Sequence, residues 1–263
     1  MGGDTSDGGA GDTDPVEPPH FDIGNVPDAP SNSPPDIGAW LVAEGEYLLA
    51  YGSADSLVGI LDHWEGPLVD DQCPAGMTSV LIPGWTEYIY LVAYADAQGP
   101  QGVLGLLERV GGFYGPVPPL WSPDPLLTGD PAWEVCATGL DYDPGDDPPN
   151  LALIEAQIEQ CNLQTSDPQT TSHGWVDQEG TEYGAMAAGE LNDTPLDVEP
   201  QPGNEFPLRC ADVLPPETQW MWFNWDPENI SWPTQSPFLH PGGDDNPTHE
   251  FLIFRVRNKD IPY

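Results

Sequence analysis

The sequence predicts an all-β fold with one short helix, and three observations carry that prediction. Proline and glycine, 33 and 29 residues of 263, interrupt the chain too often for long helices. Between them lie segments of strand length, rich in aromatic and branched side chains, that end at Gly, Pro or Asp. Only one window carries helical signals. With 38% hydrophobic and 10% aromatic residues the chain has material for a real core.

Residues 1–36 hold eight acids (Asp4, Asp7, Asp12, Asp14, Glu17, Asp22, Asp28, Asp36), no base, and many Pro and Gly. Such a segment is expected to be a disordered acidic linker, extended by charge repulsion, with cation binding as its alternative role. Residues 37–263 are read as one β-sandwich domain. Strands are expected at 39–43, 46–51, 57–61, 78–82 and 87–95, and the unbroken apolar character of 88–95 predicts a strand covered on both faces. Residues 103–110 read as a further strand, although their leucine spacing also suits a short helix. The Pro-, Gly- and Trp-rich stretch 111–131 is expected to be a surface loop, too irregular for any ladder. A strand at 133–137 and an acidic turn at 141–147 lead to Asn150, which suits the N-cap of a helix over 151–161 with Leu151, Ile154 and Ile158 on one face. After a polar loop, a segment at 173–186 and a Pro-rich one at 192–207, two strong strands close the chain at 218–225 and 250–257.

Charge bounds the partners. Forty-four acids against five bases give a formal charge of −39, and no Lys or Arg precedes Arg109. Nucleic acid and anionic lipid are excluded as electrostatically favoured partners, whereas cations remain. No apolar run approaches the ~20 residues of a membrane-spanning helix. The four cysteines show no CxxC pair, so two disulfides are expected, with free thiols as the alternative. Cys136 and Cys161 flank the acidic turn and the helix and are the favoured pair, leaving Cys73 with Cys210. Disulfides imply an oxidising compartment, hence an exported or cell-surface protein. The Gly- and Asp-rich start resembles the segment that follows the lipid-bearing cysteine of a bacterial lipoprotein, which raises the expectation of a lipid anchor in the unprocessed protein.

Candidate chemistry is sparse. The five histidines are scattered and no HExxH, GxSxG or Walker pattern occurs. Asp141, Asp143 and Asp146 place hard oxygen ligands as calcium loops do, with Gly145 and Ala152 departing from the EF-hand pattern. A solvated acidic turn is the competing reading. Ten tryptophans are many, and four of them fall within residues 220–232. Trp220 and Trp222 suit a core. Trp225, between Asn224 and Asp226, suits exposure, where an aromatic face with flanking carboxylate and amide groups can hold a sugar ring. Trp64 with Asp62 and His63 is a second such group, and Asp96 with Gln98 in a hairpin turn a third.

Three stretches carry a family resemblance. Residues 47–51 are followed by Val58, Gly59 and Trp64; an apolar strand, a polar turn, Gly99-Pro100-Gln101-Gly102 and a second apolar strand follow in order; and the closing strands pair Trp220, Trp222 and Phe223 with Phe251, Phe254 and Arg255. This order resembles the galactose-binding-like β-sandwich, a jelly-roll module of secreted glycoside hydrolases and bacterial surface proteins. The chain departs from the family in lacking the Asn-Gly turn before its Val-Gly step, and in long insertions at 111–131 and 192–217. The resemblance implies a jelly-roll β-sandwich with long Pro/Gly-rich loops. Residues and resemblance together predict a non-catalytic extracellular binding protein, with carbohydrate as first ligand and calcium as structural cation. A structural or adhesive cell-surface protein that binds itself or other proteins is the alternative, and an unrecognised hydrolase the third reading.

Overall fold

The computed structural model describes residues 34–64, 78–94, 101–110, 124–142, 146–164, 169–194, 206, 208–211, 214–228, 236–238 and 250–263. They form a β-sandwich of two antiparallel sheets. The strands are β1 (Ile37–Glu44), β2 (Glu46–Gly52), β3 (Leu57–Trp64), β4 (Thr78–Ile82), β5 (Tyr88–Tyr94), β6 (Gly102–Arg109), β7 (Leu126–Leu127), β8 (Glu134–Asp141), β9 (Ala185–Leu191), β10 (Gln219–Asn224) and β11 (Glu250–Arg257). The first sheet runs β4-β1-β6-β10-β9, with β7 added beside β6, and the second runs β3-β2-β5-β11-β8. β1 pairs with β6 along its whole length and β2 with β5, so these pairs nest across the two sheets.

Alternation divides the second sheet into two apolar faces. Tyr47, Leu49, Tyr51, Ile89, Leu91, Ala93, Leu252, Phe254 and Val256 point inward to the core shared with the first sheet. Leu48, Ala50, Tyr90, Val92, Tyr94, Phe251 and Ile253 point the other way and are also buried. The period of two gives the reason: both faces of β5 are covered, as its apolar run predicts. What covers the outer face is helix α1 (Leu151–Leu163), with Tyr142 and Trp175.

Asn150 caps α1, its Oδ1 accepting from the Leu153 amide at 3.0 Å, and Gln164 ends it in a left-handed conformation at φ 39°. Ile154, Ile158 and Cys161 face the sheet, while Leu151 is only half-buried. The Cys136–Cys161 disulfide joins α1 to β8, as expected from the sequence. Cys210 is also disulfide-bonded, and its expected partner Cys73 lies outside the described residues. Asn162 completes the junction: its Nδ2 donates to Ala54 O at 2.7 Å, and its Oδ1 accepts from Trp175 Nε1 at 2.8 Å and Arg255 Nη1 at 3.1 Å.

Trp220 and Trp222 are fully buried, as a core role requires, and Phe206 stacks on Trp220 at 4.0 Å. Two expectations need correction. Residues 124–131 are not simply surface loop: Leu126 and Leu127 pair with Leu107 and Leu106, Leu126 is buried, and Thr128 Oγ1 accepts from the Gly105 amide at 2.9 Å. The second is β9, an alanine-rich strand that the sequence reading passes over. It holds the edge of the first sheet because β10 supplies its hydrogen-bonding partners, from Gln219 opposite Leu191 to Asn224 opposite Ala185. The linker expected over 1–36 lies outside the described residues except for its last three, and so do the remaining parts of the 111–131 and 192–217 insertions that are not described. No helix among the described residues is long and apolar enough to cross a membrane.

Candidate functional site

The register places the sequence-predicted ligand residues at one end of the sandwich. β3 finishes with Asp62, His63 and Trp64 opposite Leu49, Leu48 and Tyr47, and β10 finishes with Asn224. Both finish at the end where Tyr94 closes β5 and Gly102 opens β6, because Tyr94 lies opposite Glu46 and Gly102 opposite Glu44. Asp96 and Gln98 lie outside the described residues, and only the backbone course of Asp62, His63 and Trp64 is described. Asn224 is buried and its Oδ1 accepts from the Asp226 amide at 3.1 Å. That local turn sends Trp225 outward, 41% exposed. Beside it runs a groove of about 460 Å³ along β9, lined by Asn224, Gln178, Glu190 and Phe238 among alanines and a glycine.

The expected calcium ligands are only partly described. Asp141 and Asp146 are exposed and Asp143 lies outside the described residues, among which no group of three or more His, Cys, Asp or Glu could hold a metal ion. Next to Asp141 in the register is Glu250, a buried carboxyl whose Oε2 accepts from the Gly139 amide and from Thr171 Oγ1. Burial pushes its pKa up to about 7 against the opposing effect of those two hydrogen bonds, with the nearby Asp141 carboxylate raising it slightly further.

The larger cleft, about 730 Å³, is at the opposite end of the sandwich and was not foreseen. Its wall is the turn between β4 and β5. Gly84 is required there, because a Cβ would meet Pro34 O at 2.2 Å and Pro35 O at 2.3 Å where the chain enters β1. The Gly84 amide donates to Asp36 Oδ1 at 3.0 Å, and Thr86 Oγ1 lies 3.0 Å from both Gly52 O and Tyr88 O. Its floor is the 3-10 turn Asn258–Asp260 that follows β11. Asn258 joins the two, with its amide donating to Glu87 O and its Nδ2 to Gly84 O, each at 2.9 Å.

Into this cleft project aromatic rings and cations. Trp85, half-buried, meets Tyr51 edge-on at 5.9 Å. Arg257, exposed, donates from Nε to Tyr88 Oη at 2.9 Å, and that hydrogen bond raises its pKa. Arg109 donates from Nη2 to Asn258 O at 2.7 Å and Asn258 Oδ1 at 2.5 Å. The ring of Tyr263 lies over the Arg109 guanidinium, 4.4 Å from its centre. Burial lowers the pKa of Arg109, with Tyr263 acting the other way. Exposed Lys259 completes the basic rim, and Glu87 brings a carboxylate to it.

No protein-family model, curated protein or solved structure matches this chain. The chemistry of the cleft therefore stands on its own residues. Flat aromatic faces beside guanidinium and ammonium donors suit a ligand with an apolar face and acceptor oxygens. One signal for this cleft was present in the sequence: Arg257 and Lys259 fall two residues apart, at the end of β11 and in the turn after it, in a chain with only five bases.

Proposed function

We propose that the protein is an exported, non-catalytic binding module of the galactose-binding-like class that takes carbohydrate in the cleft between the β4–β5 turn and the end of β11. The observation that carries this reading is the grouping of Trp85 and Tyr88 with Arg257 and Lys259 in one open cleft. The bridged Cys136 and Cys161 suit an oxidising compartment and thus export. Calcium enters the proposal as a structural ion at the acidic turn of Asp141, Asp143 and Asp146. A glycan array probed with and without calcium tests it. Binding that disappears in a folded Trp85→Ala variant supports the reading, and no glycan binding at any calcium level sinks it.

A second reading is a structural or adhesive surface protein. It is favoured by β9, the edge strand of the first sheet among the described residues, where Leu191 is 44% exposed. Sedimentation over a hundredfold concentration range tests it, because self-association that Leu191→Lys abolishes would support assembly through that edge.

A further inference from the structure

Three of the five cations of a chain with 44 acids line one cleft, so its polarity is opposite to that of the molecule. Arg257 and Lys259 are exposed there. Arg109 adds an independent observation. Its Nη2 is taken by Asn258, but Nε and Nη1 are shielded from solvent and have no hydrogen-bond partner among the described residues. Shielded donors on a charged group are strongly disfavoured without an acceptor. What lies over the guanidinium is the Tyr263 ring, and Tyr263 is 77% exposed, so little packing holds the ring in place. A single small anion would occupy only a fraction of a 730 Å³ space that is also lined by Trp85 and Tyr88.

We infer that the ligand of this cleft is an acidic sugar, a hexuronate unit of an anionic polysaccharide. Its carboxylate displaces the Tyr263 ring and gives an unpartnered N–H of Arg109 its acceptor. The sugar ring packs on Trp85, and Arg257 and Lys259 meet the remaining oxygens. Arginine suits this task because its charge is permanent and its N–H groups match a carboxylate. The inference rests on the proposed reading of the cleft as a carbohydrate site.

The test is calorimetric titration with a galacturonic acid tetrasaccharide and with its methyl ester, which keeps ring shape and removes charge. The expected result is at least tenfold tighter binding of the acid, reduced tenfold or more in Arg257→Gln. The Arg109 Nε–H resonance should shift with the acid and not with the ester. Tyr263→Ala should tighten acid binding about two- to fivefold, because an exposed cation–π contact worth about 0.5–1 kcal/mol no longer has to be broken. Equal binding of acid and ester overturns the inference while leaving a carbohydrate module. Failure of both, with no hit on a glycan array, overturns the carbohydrate reading itself. Weaker binding by Tyr263→Ala overturns the covering role of that ring. A peptide of residues 1–33 that competes as well as the tetrasaccharide overturns the inference too, because the cleft would then take polyanions without reading a sugar.

Discussion

Arg255 donates from Nε to Glu134 Oε2 at 2.6 Å, across the β11–β8 pair in which the two residues lie opposite each other. The guanidinium is buried with its carbon 3.8 Å from the centre of the Trp175 ring, so a cation lies inside the covered face of the second sheet. Glu134 is a third exposed, at 32%, which leaves its carboxylate partly hydrated. Glu134→Gln should therefore cost about 1–3 kcal/mol, less than the loss of a partner from a wholly buried pair. Arg255→Met combined with Glu134→Gln should recover part of that loss. Urea unfolding of the single and double variants checks this, and a double variant worse than the sum of its singles would contradict it.

The Cys136–Cys161 bridge closes a segment of sequence separation 25 and holds α1 on the outer face of the second sheet. Replacing both cysteines by Ala should cost about 3 kcal/mol in the chain-entropy description. Hydrogen exchange should show α1 opening before the sheets do, because Ile154 and Ile158 are then its main buried anchors. Protection in α1 unchanged by the double substitution would count against this role.

Glu250 predicts an unusual pH dependence. Its folded pKa of about 7 is above its ordinary 4.5, so the folded state holds a proton that the unfolded chain releases first. The stability linked to this proton is complete below pH 4.5 and is lost as the pH rises to about 7, with a span of about 3 kcal/mol. Glu250→Gln keeps an acceptor for Gly139 and Thr171 and removes the titration. The variant should match the wild type near pH 4 and exceed it by roughly 1–3 kcal/mol at pH 8. Parallel stability curves for the two proteins would refute the assignment.

A formal charge of −39 opposes compaction everywhere outside the basic cleft. Raising sodium chloride shortens the screening length from about 10 Å at 0.1 M to about 3 Å at 1 M. The melting temperature should climb over that range, and calorimetric scans in sodium chloride would show it. A flat profile would mean that the acids are already spaced beyond mutual reach.

Legibility in the sequence followed period and chemistry. β5 and β11 announced themselves because aromatic and branched residues fill consecutive positions, which only a strand covered on both sides can use. Asn150 was readable because an N-cap is local chemistry. β9 was not, since Ala185, Ala187 and Ala188 carry little strand preference and its pairing partner is some thirty residues away in sequence. The ligand candidates around Asn224 and Trp225 came from residue type alone, which located an exposed ring but not a cleft. The basic cleft joins Trp85, Arg109 and Arg257, whose proximity is set by strand order, and no local pattern encodes that.

β11 lies between β5 and β8 in its sheet, although some 150 residues of chain separate it from β5. Before residues 250–257 are made, β5 and β8 present open edges to each other with nothing to join them. Completion of the second sheet must therefore wait until residues 250–257 have left the ribosome. Pairing between such distant segments is slow to form. Until those eight residues emerge, the second sheet of the nascent chain stays in two unjoined parts, β3-β2-β5 and β8.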